Sequence, residues 1–148
     1  MQQNLPDSVN LLFVCMGNTC RSPMAAAFAR NLLRNRATVQ SAGIAVAAVS
    51  PSLFAVKVLK SVYNTDISGH CPRPVQELEL SRFTHIIALD RYIGVFLADR
   101  YPAVAAKLHI WNIADPYGSN EAEYAGCAAQ ILERLHLWCA EAGILPPP

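Results

Sequence analysis

Leu11-Leu12-Phe13-Val14 is an unbroken apolar run that passes, through a short loop holding Gly17 and Asn18, into Ser22-Pro23 and a helical pattern. A run that is apolar at every position reads as a strand covered on both faces, as in a parallel sheet. Ser22 fits the N-cap and Pro23 the first helical position, where a missing N–H costs nothing. Met24, Phe28 and Leu32 then recur at helical spacing, with Arg30 and Arg34 directed elsewhere. This strand–loop–helix unit sets the expectation of an α/β fold.

The rest of the chain repeats the unit. A second strand is expected at residues 38–42, closed by Gly43. Ser50-Pro51 opens a second helix with Phe54, Val58 and Val62 as its buried stripe. Residues 66–74, with Gly69 and two prolines, form a loop, followed by a short helix at 75–81 and a third strand at 84–89. Asp90 is placed to cap a helix running to about Tyr101, and a fourth strand follows at 108–113. Asn120 with Glu123 reads as a capping box for a last helix with the seam Tyr124, Cys127, Ile131, Leu135 and Trp138, ended by Gly143. The pattern predicts one domain over residues 1–148: a three-layer α/β sandwich around a four-stranded parallel sheet. Right-handed crossovers favour the flavodoxin-like order 2-1-3-4, with a frayed tail at residues 146–148.

Charge narrows the function. Lys plus Arg is 12 and Asp plus Glu is 11, a formal net charge of +1. No broad basic face is available for nucleic acid or anionic lipid, so any anion must be caught locally. Cys15, Cys20, Cys71, Cys127 and Cys139 are an odd set without framework spacing, which reads as reduced thiols in a cytoplasmic protein. Residues 1–10 carry no positive charge and contain Pro6 and Asp7, unlike a signal peptide, and no early apolar run could span a membrane.

The segment Val14-Cys15-Met16-Gly17-Asn18-Thr19-Cys20-Arg21-Ser22-Pro23 lies where ligands bind in open parallel sheets, between first strand and first helix. From Cys15 to Arg21 the chain is long enough to curl into a cradle of backbone N–H groups, with Gly17 and Asn18 suited to positive backbone angles. The following helix aims its positive end at the same place. Met16, Gly17, Asn18, Thr19 and Cys20 would thus surround a dianionic tetrahedral group, phosphate or a similar oxyanion. Cys15 at the bottom would be favoured as thiolate, the nucleophilic form. Arg21 can make bidentate hydrogen bonds to two phosphoryl oxygens, and Ser22 can donate a hydroxyl to Cys15. Each residue alone has an ordinary structural use; their conjunction points to chemistry.

Asp115-Pro116-Tyr117-Gly118 follows the fourth strand and should emerge on the same edge of the sheet. Asp115 can act as general acid toward a leaving oxygen and then as base toward water. Tyr117 would line the mouth and stack on an aromatic leaving group.

These two segments resemble, in order and spacing, the low-molecular-weight protein-tyrosine-phosphatase family, and Ser41-Ala42-Gly43 and Ser68-Gly69-His70 with Arg73 are similar to further family segments. The resemblance implies hydrolysis of a phosphorylated protein through a cysteinyl phosphate, with neither metal nor cofactor. It implies that Asn18, Ser22, Ser41 and His70 hold the cradle in shape, and that Cys20 can form a reversible disulfide with Cys15. There are departures. Residues 44–48, Ile-Ala-Val-Ala-Ala, lack the aromatic wall of many members; Gly118 replaces a second tyrosine; and Asp90 has no following Asn. Thr19 occupies a position where many tyrosine phosphatases have isoleucine and a phosphoarginine-directed branch has threonine. Phosphotyrosine is therefore the expected substrate and phosphoarginine the alternative. An arsenate reductase of this fold would need relay cysteines after the third strand, where the chain reads Ala88-Leu89-Asp90-Arg91-Tyr92-Ile93. A sugar-transport phosphocarrier would not need Asp115. A catalytically dead phosphate-binding module would have lost Cys15, Arg21 or Asp115.

Overall fold

The computed structural model describes residues 8–145. The expected tail at 146–148 and most of the leader reading for residues 1–10 lie outside the described residues. Four strands, β1 (Val9–Cys15), β2 (Ala37–Gly43), β3 (His85–Ala88) and β4 (Leu108–Ile110), form one sheet in the order β2-β1-β3-β4. All three pairings are parallel, with Cys15 beside Gly43 and Val14 beside Ala88. This is the doubly wound arrangement predicted from the alternation of strands and helices.

Side chains of β1 alternate between two cores, which is why the run has no polar position. Leu11, Phe13 and Cys15 face α1 (Arg21–Leu33), α2 (Leu53–Tyr63) and α4 (Glu121–Glu141). Leu12 and Val14 face α3 (Arg91–Arg100) and the short helical turns beside it. The α4 seam is as read: Tyr124, Cys127, Ile131, Leu135 and Trp138 are all buried. Asn120 accepts a hydrogen bond from the Glu123 amide, and Gly143 takes φ 74° just past the helix. Asp90 likewise caps α3 by accepting from the Ile93 amide at 2.9 Å.

Four local expectations change. The first helix starts at Arg21 with Cys20 as its N-cap, not at Pro23, because the Ser22 hydroxyl is committed to the loop in front. Pro23 still sits in the first turn, whose amides have no helical partner. The second helix starts at Leu53, after Ser52 donates its amide to Thr19 O at 2.8 Å. Its buried residues are Ala55, Val58 and Leu59, whereas Phe54 and Val62 are 37% and 61% exposed. The small Ala55 allows close packing, so the buried face is rotated from the one the larger side chains suggest. Residues 75–81 form two single 3₁₀ turns, Val75–Glu77 and Leu80–Arg82. The fourth strand is shorter than expected, although Trp111 and Ile113 still donate amides to Ala88 O and Leu89 O. That continuation carries Asp115 to the carboxyl edge of the sheet, where β1 delivers Cys15.

Candidate active site

Between β1 and α1 the backbone curls with its carbonyls turned outward. Cys15 O accepts from Ile44 N, Met16 O from Ala45 N, Thr19 O from Ser52 N and Cys20 O from Met24 N, at 2.8–3.1 Å. With those carbonyls engaged outside, the amides of the loop are left to converge on an anion. Asn18 alone supplies the left-handed turn, at φ 57°. Gly17 is not at positive φ, contrary to the expectation for it. Gly43 matters more. A Cβ there would stand 2.8 Å from Met16 O and 2.9 Å from Asn18 N, so only glycine lets β2 end against the loop.

Asn18 is the hub of the support. It is fully buried; its Nδ2 donates to Ser22 Oγ at 2.7 Å and Ser41 Oγ at 3.0 Å, while its Oδ1 accepts from Arg73 N at 2.9 Å. Its carbonyl lies 2.8 Å from His70 Nε2. A carbonyl only accepts, so this histidine carries its proton on Nε2. Burial lowers the His70 pKa, with the Asn18 contact opposing and the Arg30 and Arg73 charges adding to the fall, which keeps the ring neutral. Because Ser22 Oγ already accepts from Asn18, its own proton is free to go to Cys15 Sγ, 2.9 Å away. The Ser22 amide also points at that sulfur, at 3.4 Å.

Arg21 is 2% exposed. Its Nη1 donates to Asp90 Oδ2 at 2.7 Å and to Ile113 O at 2.8 Å, and its Nη2 stands 3.5 Å from Asp115 Oδ2. Burial opposes the guanidinium charge, but the Asp90 hydrogen bond and the charges of Cys15, Asp115 and Asp90 outweigh it, so the pKa is raised. One edge of the fork is thus anchored and the other is available to an oxyanion. Cys15, Met16, Gly17, Thr19, Cys20, Arg21, Asp115 and Tyr117 all line one cavity of about 260 Å³, with Ala45, Ala47 and Ala48 as its other wall. Tyr117 is 80% exposed on the rim, its amide bonded to Asp115 Oδ1 at 3.1 Å. Asn18, Ser22, Ser41 and His70 lie behind the loop. Cys15 to Arg21, Asp115 and Tyr117 thus surround the cavity or support it from behind, whereas Gly69 and His70 line a separate cavity against α1 and His70 reaches the loop only through Asn18 O.

The sequence offers Asp90 as a helix cap and Gly43 as a strand end in a family-like segment; their contacts with Arg21 and with the loop appear only in the structure. The signal for Asp90 was its position: it follows β3 on the same sheet edge as Cys15 and Asp115.

A family model described as low molecular weight phosphotyrosine protein phosphatase matches residues 10–143. The chain belongs to that family. A low molecular weight protein tyrosine phosphatase from T. tengcongensis superposes with a TM-score of 0.83 at 29% identity, covering 90% of this chain and 99% of that one. An arginine phosphatase from Geobacillus stearothermophilus also gives a TM-score of 0.83, at 28% identity, covering 91% of this chain and 93% of its own. In sequence, an arsenate reductase of Bacillus cereus is 31% identical over 125 residues, 84% of this chain and 90% of its own length. The family therefore includes relatives named for different reactions on a tetrahedral anion, and this member's own residues must decide among them. Among the described residues no helix is long and apolar enough to cross a membrane.

Proposed function

We propose that this family member is a single-domain cytoplasmic protein phosphatase that hydrolyses phosphotyrosine through a cysteinyl phosphate. The observation that carries the reading is the placement of Cys15 Sγ, Arg21 and Asp115 around one cavity, with the Ser22 hydroxyl 2.9 Å from the sulfur. In the first step the Cys15 thiolate attacks phosphorus while Asp115 gives its proton to the leaving oxygen. The free edge of Arg21 and the loop amides take the equatorial oxygens, and their hydrogen bonds strengthen as charge spreads over them. In the second step Asp115 takes a proton from water as that water attacks the phosphocysteine. Ser22 donates to the departing sulfur and stabilises it as thiolate. The route needs no metal and no cofactor.

Phosphoarginine is the second reading, favoured by Thr19 at the cavity wall and by the small Ala45, Ala47 and Ala48 opposite, where no aromatic ring stands. Arsenate reduction with relay thiols after β3 is disfavoured, because Leu89, Asp90 and the start of α3 supply none. Measuring kcat/KM for phosphate release from phosphotyrosine and phosphoarginine peptides side by side, with Cys15→Ser as the blank, tests the choice. The main reading predicts a strong preference for phosphotyrosine. A preference for phosphoarginine would transfer the assignment with the mechanism unchanged, and turnover of neither would overturn it.

A further inference from the structure

Pro23, Ala27, Arg30 and Asn31 recur at helical spacing on α1, and with residues of the loop 65–70 they line a second cavity of about 410 Å³. It is larger than the active-site cavity, and a volume of that size suits a small molecule. Asn31 Nδ2 donates to Thr65 Oγ1 at 2.9 Å and so ties the loop to the helix. Hydrolysis uses nothing here, yet His70 belongs to both places. It lines this cavity, and its Nε2 donates to Asn18 O at 2.8 Å. A molecule that touches the ring is one hydrogen bond away from the residue that shapes the phosphate loop.

Three polar groups of the wall have bonding positions left over. Arg30 gives Nη2 to Val39 O at 2.9 Å, and among the described residues no carboxylate pairs with it. Asp66 accepts from the Ser68 amide through Oδ1 at 2.8 Å, which leaves Oδ2 open. Hydrogen bonds from the Ser68 side chain and then its backbone lower the Asp66 pKa, with the Lys60 charge adding and desolvation opposing, so it stands as a carboxylate. His70, with its proton on Nε2, keeps Nδ1 as an acceptor that no donor meets among the described residues. A cation and an anion therefore line one cavity without pairing with each other. A simple anion entering it would meet the Asp66 charge and the Nδ1 lone pair, and a simple cation would meet Arg30. The matching occupant is negative at one end and donates at the other, with an apolar body for Pro23, Ala27 and Ile67.

We propose that this cavity is an effector site for a small zwitterion of the α-amino acid class, held by its carboxylate on Arg30 and by its ammonium group on Asp66 and His70 Nδ1. A carboxylate suits the guanidinium fork, and an ammonium group has three N–H donors to share between the two acceptors. Donation to Nδ1 polarises the imidazole and makes its Nε2–H a stronger donor to Asn18 O. The occupied site thus holds the phosphate loop more firmly, and oxyanion and amino acid tighten each other by the same factor. The coupling, though not the binding, rests on the loop being the oxyanion site.

The test screens the common L-amino acids against reduced full-length protein by the NMR shift of the His70 ring signals. The best is then titrated by calorimetry, with and without saturating phosphate, beside its decarboxylated amine and its deaminated acid. The amine and the acid should each bind about tenfold more weakly or worse, the loss expected for a charge-assisted hydrogen bond. Arg30→Gln and Asp66→Asn should weaken binding as much while leaving turnover of an aryl phosphate unchanged. Asp66→Asn keeps an acceptor for the Ser68 amide, so it carries the test even if Arg30→Gln folds poorly. The inhibition constant of phosphate should fall about fivefold at saturating amino acid, and the amino acid's Kd by the same factor in phosphate. Binding by no member of the panel, binding indifferent to Asp66→Asn, or competition with phosphate in place of mutual tightening would overturn the proposal. Turnover of a phosphotyrosine peptide without amino acid reads the phosphatase separately, so its failure is distinct from failure of the second site.

Discussion

Arg21 is the charge that an oxyanion would meet, and Asp90 is the group that holds it. The pair is short, 2.7 Å, with Arg21 2% and Asp90 28% exposed. Asp90 also caps α3 through the Ile93 amide, so two substitutions separate its roles. Asp90→Asn keeps a cap acceptor, because asparagine caps as well as aspartate, but removes the charge facing the guanidinium. Removing one member of a buried pair costs about 3–5 kcal/mol. The partial exposure of Asp90, with Ile113 O and Asp115 still beside Arg21, reduces that to about 2 kcal/mol here. Asp90→Ala loses the cap as well, a further ~1 kcal/mol. Urea denaturation should therefore rank wild type above Asn above Ala, with the second interval about half the first. A fork freed to swing by an ångström should lower kcat/KM on an aryl phosphate by about 10–100-fold in both variants. An Asp90→Asn protein with wild-type stability and wild-type kcat/KM would refute the claim that this carboxylate holds the phosphate clamp.

Gly43→Ala sets a Cβ 2.8 Å from Met16 O and 2.9 Å from Asn18 N, both backbone atoms, so the loop must move. We expect a loss of about 1–3 kcal/mol in thermal unfolding and weaker phosphate binding by competition kinetics. Burial holds His70, His85 and His109 below the ordinary 6.5. The unfolded chain therefore takes up protons before the native state does, so stability is full above that value and falls as the pH drops through it. Urea midpoints measured on both sides of pH 6.5 should show the fall, and a flat profile would contradict it. With a thiol reagent Cys71, which is exposed, should label at once, while Cys139, its thiol pushed up to about 11, should wait for unfolding.

The fold was legible because each strand–helix unit carries its own period. Leu11 to Val14 has no polar position, since β1 is central and both faces are covered, and the α4 seam has no competing apolar face. The second helix misled because Phe54 and Val62, the larger apolar residues, lie off the face that the small Ala55 sets. Ser22 and Pro23 gave the helix its start within two residues, but the serine's role was double, and the loop outbid the cap for its hydroxyl. Gly17 suits a positive φ, but Asn18 is the residue that supplies it. What the sequence could not show were the contacts made across the sheet edge. Asp90 and Arg21 are 69 positions apart, and Cys127 reaches Ala114 O, beside Asp115, only once α4 packs behind the loop. Such pairs follow from topology, which brings the ends of parallel strands and the helix behind them to one place.

The central claim is covalent: phosphate passes through Cys15. Asp115→Asn should slow turnover by about 10²–10⁴-fold, the more so for a poorer leaving group. With an activated aryl phosphate, whose leaving group needs little acid help, hydrolysis of the intermediate should become the slow step. Rapid quenching of that variant during turnover, followed by mass analysis of the peptide bearing Cys15, is the most direct test. The account predicts one phosphoryl group on Cys15, appearing with a burst of released phenol. A burst with an unmodified Cys15, or phosphate on another residue, would contradict it.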